Sequence, residues 1–462
     1  MPRSIHYFDH AATTPLDPRV LRAMQPYLTR EFGNPSNLYS LGRRAKRAIM
    51  AAADQIAGAL GCKPGEIIFT GSATEADNMA LQGAVKAIRK MRMRPDGSAD
   101  PGRIKIIVSE IEHKGILAVA AALEKEGVEV VKIPVKKDGL VDLKKLEAAL
   151  DDRTVLVSVT SADSETGILQ PVAEIGKIVR KFRDKDKVTG IKEEKNSPLS
   201  LSPYPCPIFH TDASQAAAFL DLNVDELGVD LLTLSAHKLG GPKGIGALYV
   251  RQGTPLEPII YGGGQQAKLR SGTENVPGIV GFGEAMAIAA RERGRESARV
   301  RKLRDRLERG IMKSIPKVVL NGHPTKRLPN FLNISILDIE GEAMLLYLDD
   351  LGIYVNTGSA CNSESLEPSY VLTALGEPYE YVHGSIRFTL GHETTAADVD
   401  YVLQQLPPIV KKLRQISPLN LSLGQKEKMS QPKAFIGGQT PHFLRKRKEN
   451  EERRKGTGTN HS

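Results

Sequence analysis

The chain has 462 residues, 40% hydrophobic and 26% charged, which suits a globular protein of two or three domains. It holds no run of 18 apolar residues, so no membrane-spanning helix is expected. Its three cysteines are too few and too scattered for a disulfide framework or a thiolate metal site, and they fit a reducing compartment, the cytoplasm. The net charge of +10 sits mostly at one end: residues 418–462 hold ten Lys/Arg and four Asp/Glu, and the other 417 residues share about +4. That thin excess forms no basic stripe and argues against direct nucleic-acid binding.

At the start, Met1-Pro2-Arg3-Ser4 runs directly into the β-like Ile5-His6-Tyr7-Phe8, and no signal or transit peptide is expected. From about residue 47 helical and strand patterns alternate. Helices are expected over 47–60, 74–89, 116–126, 143–150 and 172–182. Strands are expected over 66–70, 104–109, 128–133, 154–160, 207–210, 231–235 and 245–250. Seven strands alternating with helices predict an α/β fold, a mostly parallel sheet covered on both faces. The segment 183–207, rich in Lys, Glu, Ser and Pro, reads as a surface insertion. Beyond residue 275 a long charged helix (282–313) leads into strands and helices of a smaller α+β region, ending in a helix over 396–416. The basic tail from 418 lacks apolar content and is expected to be disordered.

Ligands of α/β proteins gather at the carboxyl ends of strands, and four strand ends here carry unusual polar residues. Thr70-Gly71-Ser72-Ala73-Thr74 opens a helix; it can cradle a phosphate on free amides or serve as an ordinary N-cap. Ser235-Ala236-His237-Lys238 ends a buried strand and is followed by a Gly-Gly-Pro-Lys-Gly turn. Lys238 is either a solvated loop lysine or an amine positioned for Schiff-base chemistry. Asp212, in His210-Thr211-Asp212-Ala213-Ser214-Gln215, can pair with a protonated ring nitrogen such as that of pyridoxal phosphate, or can cap the next turn. His113 can stack on a planar cofactor and move protons near neutral pH, or be an incidental loop histidine. Finally, Cys361 lies in the Gly/Ser-rich 357–365 stretch, which reads as a mobile loop presenting a thiol; Cys62 and Cys206 look incidental.

Read in order, these segments resemble the cysteine desulfurases of the NifS/IscS type, class V members of the fold-type I pyridoxal-phosphate enzymes. The resemblance runs from about residue 5 to 418. It covers Tyr7-Phe8-Asp9-His10-Ala11-Ala12-Thr13-Thr14-Pro15, Phe32-Gly33-Asn34-Pro35-Ser36, Gly71-Ser72-Ala73-Thr74-Glu75 and Glu112-His113-Lys114. It continues through the Ser-x-His-Lys site, Arg270-Ser271-Gly272-Thr273, Gly358-Ser359-Ala360-Cys361 and Ser385-Ile386-Arg387-Phe388. It implies an aminotransferase-like large domain with a seven-stranded sheet (16–274) and a small domain (1–15 and 275–417) carrying the cysteine loop.

The resemblance also implies roles. Lys238 would hold pyridoxal 5'-phosphate as a Schiff base and later move protons. His113 would stack on the ring, Asp212 bind its nitrogen, and Gln215 its oxygen. Ala73, Thr74, Ser235 and His237 would hold the phosphate, with Thr273 arriving from the second subunit of a homodimer. Asn34 and Arg387 would grip the carboxylate of L-cysteine. Cys361 would take the sulfur as a persulfide, leaving L-alanine, and pass it to an acceptor protein, an iron–sulfur scaffold or a tRNA-thiolation protein. One departure stands out: where the family has Asn-Asn-Glu-x-Gly, this chain has Asp163-Ser164-Glu165-Thr166-Gly167. Ser164 is shorter but can still donate to the ring oxygen. Weaker control of that oxygen is expected, so Ser164→Asn shifts the pH titration of the bound cofactor's absorbance; an unchanged titration refutes the idea. Other readings are a selenocysteine lyase or related enzyme on the same fold, a scaffold that lost activity, and a nucleic-acid binder acting through the tail.

Overall fold

The computed structural model describes residues 4–92, 104–188, 205–357 and 368–417. Cys361, residues 189–204 of the expected insertion and the tail from 418 lie outside the described residues. In chain order the first part forms β1 (His6–Tyr7), α1 (Pro18–Thr29), α2 (Ser40–Leu60), β2 (Ile67–Thr70), α3 (Ala73–Met91), β3 (Lys105–Ser109), α4 (Lys114–Lys125), β4 (Glu129–Ile133), α5 (Leu143–Ala149), β5 (Thr154–Ser158), α6 (Val172–Val188), β6 (Ile208–Asp212), α7 (Val224–Leu227), β7 (Leu231–Ser235) and β8 (Gly246–Val250). Then follow α8 (Val276–Ser314), β9 (Val318–Leu320), β10 (Phe331–Ile336), α9 (Gly341–Asp349), β11 (Ile353–Tyr354), α10 (Tyr370–Ala374), α11 (Tyr379–His383), β12 (Ser385–Thr389) and α12 (Ala396–Ile416).

Seven strands make one sheet in the order β2-β8-β7-β6-β5-β3-β4. Only β8 runs against its neighbours; because it is antiparallel to both β7 and β2, those two run the same way. Thr70 and Ser235 therefore leave the sheet at the same edge as Asp212 and Ser109. The strands read as continuous apolar runs because both faces are covered. On one face Ile68, Ile106, Val108, Leu156, Ile208 and Leu248 meet α3 and α4. On the other, Phe69, Ile107, Val157, Phe209, Leu234 and Tyr249 meet α2, α6 and the start of α8. A second apolar core gathers around the three-stranded sheet β12-β10-β9 with α9 and α12. The helix α8, 39 residues long, serves both: Ile279, Phe282 and Met286 enter the first core, and Val300, Leu307 and Ile311 the second. Among the described residues no helix is long and apolar enough to cross a membrane.

The structure corrects the sequence reading in three places. The sixth helix continues to Val188, past the expected start of the insertion. Arg183 is pinned there by an ion pair with buried Asp230, and its Nε donates to the Pro207 carbonyl at 3.0 Å. A charged side chain read as solvated thus anchors the helix. Secondly, α1 was not expected. Asp17 starts it, its Oδ1 accepting from the Arg19 amide at 2.7 Å, with a proline in the first turn. Thirdly, α2 begins at Ser40 instead of 47. Gly42 obscures its start, and it is required there because an added Cβ would lie 2.3 Å from the Asn37 carbonyl oxygen.

Candidate active site

A cavity of about 370 Å³ opens at the carboxyl edge of the large sheet. Its walls include Ala73, Thr74, His113, Ser164, Asp212, Gln215, Ser235, His237, Lys238 and Arg387, ten of the residues singled out from sequence. Strand direction explains most of this convergence: β2, β3, β5, β6 and β7 run the same way and their exit turns deliver nine of these side chains to one edge, while Arg387 comes from β12 of the smaller sheet.

One end of the cavity is the start of α3. Ser72 caps it, its Oγ accepting from the Glu75 amide at 3.1 Å, and the Ser72 carbonyl accepts from the Ala76 amide. Among the described residues the amides of Ala73 and Thr74 meet no acceptor, so this end can take an anion. Gly246 on β8 lets the turn lie flat, since a Cβ there would stand 2.5 Å from the Ser72 carbonyl carbon. Lys238 enters from the short turn after β7; its Nζ donates to the Ala12 carbonyl at 2.8 Å and to that of Ala11. Beside it, burial and then the charges of Lys238 and Lys243 push the His237 imidazole down to about 4, so it is neutral near pH 7. His113 caps α4, its Nδ1 accepting from the Gly115 amide at 3.1 Å, which puts the ring proton of the neutral form on Nε2.

Asp212 ends β6. Its Oδ1 accepts from the Ser214 amide at 2.9 Å, and Oδ2 has no hydrogen-bond partner among the described residues. Gln215 is braced by its Nε2, which donates to the Ala11 carbonyl at 3.0 Å. Behind Asp212 lies a fully buried polar layer. The His210 ring is bonded at both nitrogens, to Ser158 Oγ at 2.9 Å and Thr233 Oγ1 at 3.0 Å, and burial pushes it down to about 4. Burial and the nearby Asp212 charge raise Asp77 well above the carboxylate range. Burial pushes Glu112 up to about 8, although its Oε1 accepts from Ser109 Oγ at 2.5 Å and the Thr160 amide at 2.8 Å. Burial thus works against the charged form of all three groups in the layer behind Asp212.

A pH dependence follows. Between the ordinary 4.5 of Glu112 and its folded value of about 8, the folded state holds a proton that the unfolded state has lost. Stability from this group is therefore complete below pH 4.5 and falls as pH rises through 8, by on the order of a few kcal/mol. Glu112→Gln is expected to flatten that decline; denaturant midpoints of both proteins from pH 5 to pH 9 test it, and parallel curves would contradict it.

Arg387, on β12, is 6% exposed. Its Nη2 donates to Asp9 Oδ1 at 2.5 Å and its Nη1 to the Ser164 carbonyl at 2.6 Å. Asp9 is held in turn by Asn356 Nδ2 at 3.0 Å. Ser164 therefore meets Arg387 through its backbone. Neighbouring Asp163 turns inward, accepting from the Glu165, Thr166 and Ile168 amides and so shaping the turn. Glu165 lines the cavity as a buried acid that accepts from Ser369 Oγ, and burial pushes it up to about 7.

Two expected residues stand apart from this cavity. Asn34 lies exposed in the loop before α2, its Oδ1 tied to the Ser36 amide at 2.9 Å, so it does not join Arg387 within one chain. Thr273 is likewise exposed, outside the cavity walls. Sequence reasoning assigned no role to Asp9, Glu165, Asn356 or Tyr370, all at the site. Asp9 and Glu165 stood inside quoted motifs, whereas Asn356 and Tyr370 carried no signal.

A lysine, an unpaired carboxylate oxygen and a helix start with free amides, all facing one cavity, fit the aldehyde, ring nitrogen and phosphate of pyridoxal 5'-phosphate. The class these features define is that of the pyridoxal-phosphate enzymes on the aminotransferase fold. The chain matches Aminotransferase class-V over residues 6–186 and 206–402 and belongs to that family. It is 46% identical over 413 residues to the cysteine desulfurase IscS of Methanosarcina thermophila, covering 89% of this chain and 94% of the relative. Among solved structures, a NifS-like protein aligns with TM-score 0.76 and 34% identity, covering 88% of this chain and 99% of that one. SspA in complex with cysteine aligns with TM-score 0.67 and 32% identity, covering 83% and 98%.

Proposed function

We propose that this protein is an L-cysteine desulfurase. L-Cysteine and the Cys361 thiol give L-alanine and a Cys361 persulfide: the substrate C–S bond breaks, an S–S bond forms at Cys361, and the substrate Cβ takes up a proton. Bound pyridoxal phosphate would supply the electron sink that makes the substrate carbons reactive. Lys238 would tether the cofactor and carry protons at Nζ. The Ala73 and Thr74 amides, Ser235 and His237 would hold its phosphate. Asp212 would keep the ring nitrogen protonated, with Gln215 and Ser164 at the ring oxygen and His113 across its face. Arg387, with N–H groups to spare beyond Asp9 and Ser164, would orient the substrate carboxylate.

The observation that carries this reading is the placing of Lys238, Asp212 and the free end of α3 on one cavity, with Arg387 in its wall. The relatives' names agree with it. The direct test is borohydride trapping of the yellow protein followed by peptide mapping. An adduct at Lys238 is expected, and the unreduced protein should form alanine and, with dithiothreitol present to reduce the persulfide, an equal amount of sulfide from L-cysteine; protein that stays colourless with the vitamer overturns the proposal.

The protein would act as a homodimer, in which 1–15 and 275–417 form a small domain against 16–274. Phe32, Leu38, Tyr39 and Tyr261 are 71%, 87%, 55% and 74% exposed, large apolar areas that a second copy would cover. Thr273, away from its own cavity, would then serve the partner's. Tyr261→Asp is expected to convert dimer to monomer in sedimentation and to lower cofactor retention; an unchanged sedimentation coefficient counts against this interface. The persulfide would pass to an acceptor protein for iron–sulfur assembly or tRNA thiolation. A cytoplasmic setting, where thiols stay reduced, suits a catalytic thiol.

A further inference from the structure

A second cavity, of about 100 Å³, lies beyond the Lys238 turn. It is bounded by residues 14–19, by α8 and by the turn that follows β12, and shares only Gln215 and Lys238 with the active-site cavity. Those two form the partition, both donating to the Ala11 carbonyl.

The polar end of this cavity is built from acceptors. His10 is 5% exposed, and its Nδ1 donates to the Thr389 carbonyl at 2.9 Å. That bond leaves Nε2 as the lone-pair nitrogen of the neutral ring. It has no hydrogen-bond partner, and Glu393 Oε2 stands 3.5 Å away. Asn330 is 4% exposed; its Nδ2 donates to the Leu390 carbonyl at 3.2 Å, and its Oδ1 is also without a partner. These two acceptors and the carboxylate have no donor bonded to them from within the cavity, although Arg19, Arg293 and Lys238 also line it, Arg19 being paired with Asp17 and Glu292 and Arg293 with Asp221. The rest of the wall includes Phe219, Leu239 and Ala289, which suit a short hydrocarbon.

We propose that this cavity binds a small alkylammonium ligand, an amine or a short amino acid, its ammonium held by His10, Asn330 and Glu393 and its apolar part against α8. The site does not depend on the desulfurase reading, except that L-alanine, the amino-acid product in that reading, carries the same group and would then reach a site abutting Lys238.

The test is calorimetric titration of the full-length, borohydride-reduced holoenzyme, whose active site can no longer exchange amines, with isobutylammonium chloride, L-alanine and, as control, isobutanol. Saturable binding of one ammonium ligand per chain is expected, with none for isobutanol. Glu393→Gln and Asn330→Leu are expected to weaken it at least about tenfold, and Ala289→Leu, which fills the apolar half, to abolish it. Isobutylammonium without L-alanine assigns an amine site; both together assign an amino-acid site. No binding up to about 50 mM, or binding indifferent to the variants, overturns the proposal. Should Asn330→Leu fail to fold, Glu393→Gln decides, because that side chain is half exposed. Should reduction give no adduct, the desulfurase reading fails instead, and the unreduced protein is titrated.

Discussion

Lys238→Ala protein is expected to purify colourless and to lose turnover of L-cysteine by at least about 10³-fold, because it removes both the tether and the group that moves protons. Cys361→Ala is expected to keep the yellow chromophore and its absorbance titration while sulfide release falls to background. The contrast separates two jobs that a single activity assay would merge. Lys238 sits in the cavity wall, held by the Ala11 and Ala12 carbonyls. Its loss acts at the cofactor, whereas the thiol acts afterwards on the sulfur. Absorbance spectra with paired sulfide and alanine assays check both. A yellow, active Lys238→Ala protein would move the tether elsewhere.

The second large effect is expected at Arg387. Its guanidinium is buried and already joins Asp9 to the Ser164 carbonyl. Removing it leaves Asp9 with only the Asn356 amide and the incoming carboxylate without a cation. Losing one member of a buried charge pair costs about 2–5 kcal/mol, about 30- to 5,000-fold in kcat/KM. Arg387→Lys is expected to restore little, since a point charge cannot span three acceptors as the planar fork does. Asp9 is a positioning residue in this scheme. Asp9→Asn keeps the shape but frees the guanidinium to turn, so KM for L-cysteine is expected to rise about tenfold with kcat nearly unchanged, a tenfold change being about 1.4 kcal/mol. The cofactor's absorbance titration is not expected to move. Steady-state kinetics with spectral titrations test the pair; an unaltered KM in Arg387→Ala would remove Arg387 from substrate binding.

Much of this site was legible before folding was considered. The Thr70–Thr74 turn, Lys238, Asp212 and His113 stand where strand patterns stop, and local chemistry marks such points: small residues, caps and a charged group after a buried run. The Gly/Ser-rich stretch likewise marked Cys361, and resemblance added Arg387 and Ser164 to that set. Less legible were features whose meaning lies across the chain. Arg183 reads as one more lysine-rich loop residue until its carboxylate partner, Asp230, is seen in the core. Asn356 becomes informative only when β12 brings Arg387 beside it and Asp9 bridges them.

By itself the chain's order of residues determined the alternating elements, the α/β class and the residue types suited to hold a phosphorylated ring cofactor. Periodicity and capping act over one or two turns, and neighbours along the backbone suffice to set them. Tertiary structure alone decided that β2 and β7 run the same way, so that Thr74 and Lys238 share a cavity. It also decided that Asn34 and Thr273 stand outside that cavity, and that Asp77, Glu112 and His210 are buried behind Asp212, where their charged forms are disfavoured. Those outcomes depend on strand order and on burial, and the charge state of a group depends on the low-dielectric surroundings that distant segments bring to it.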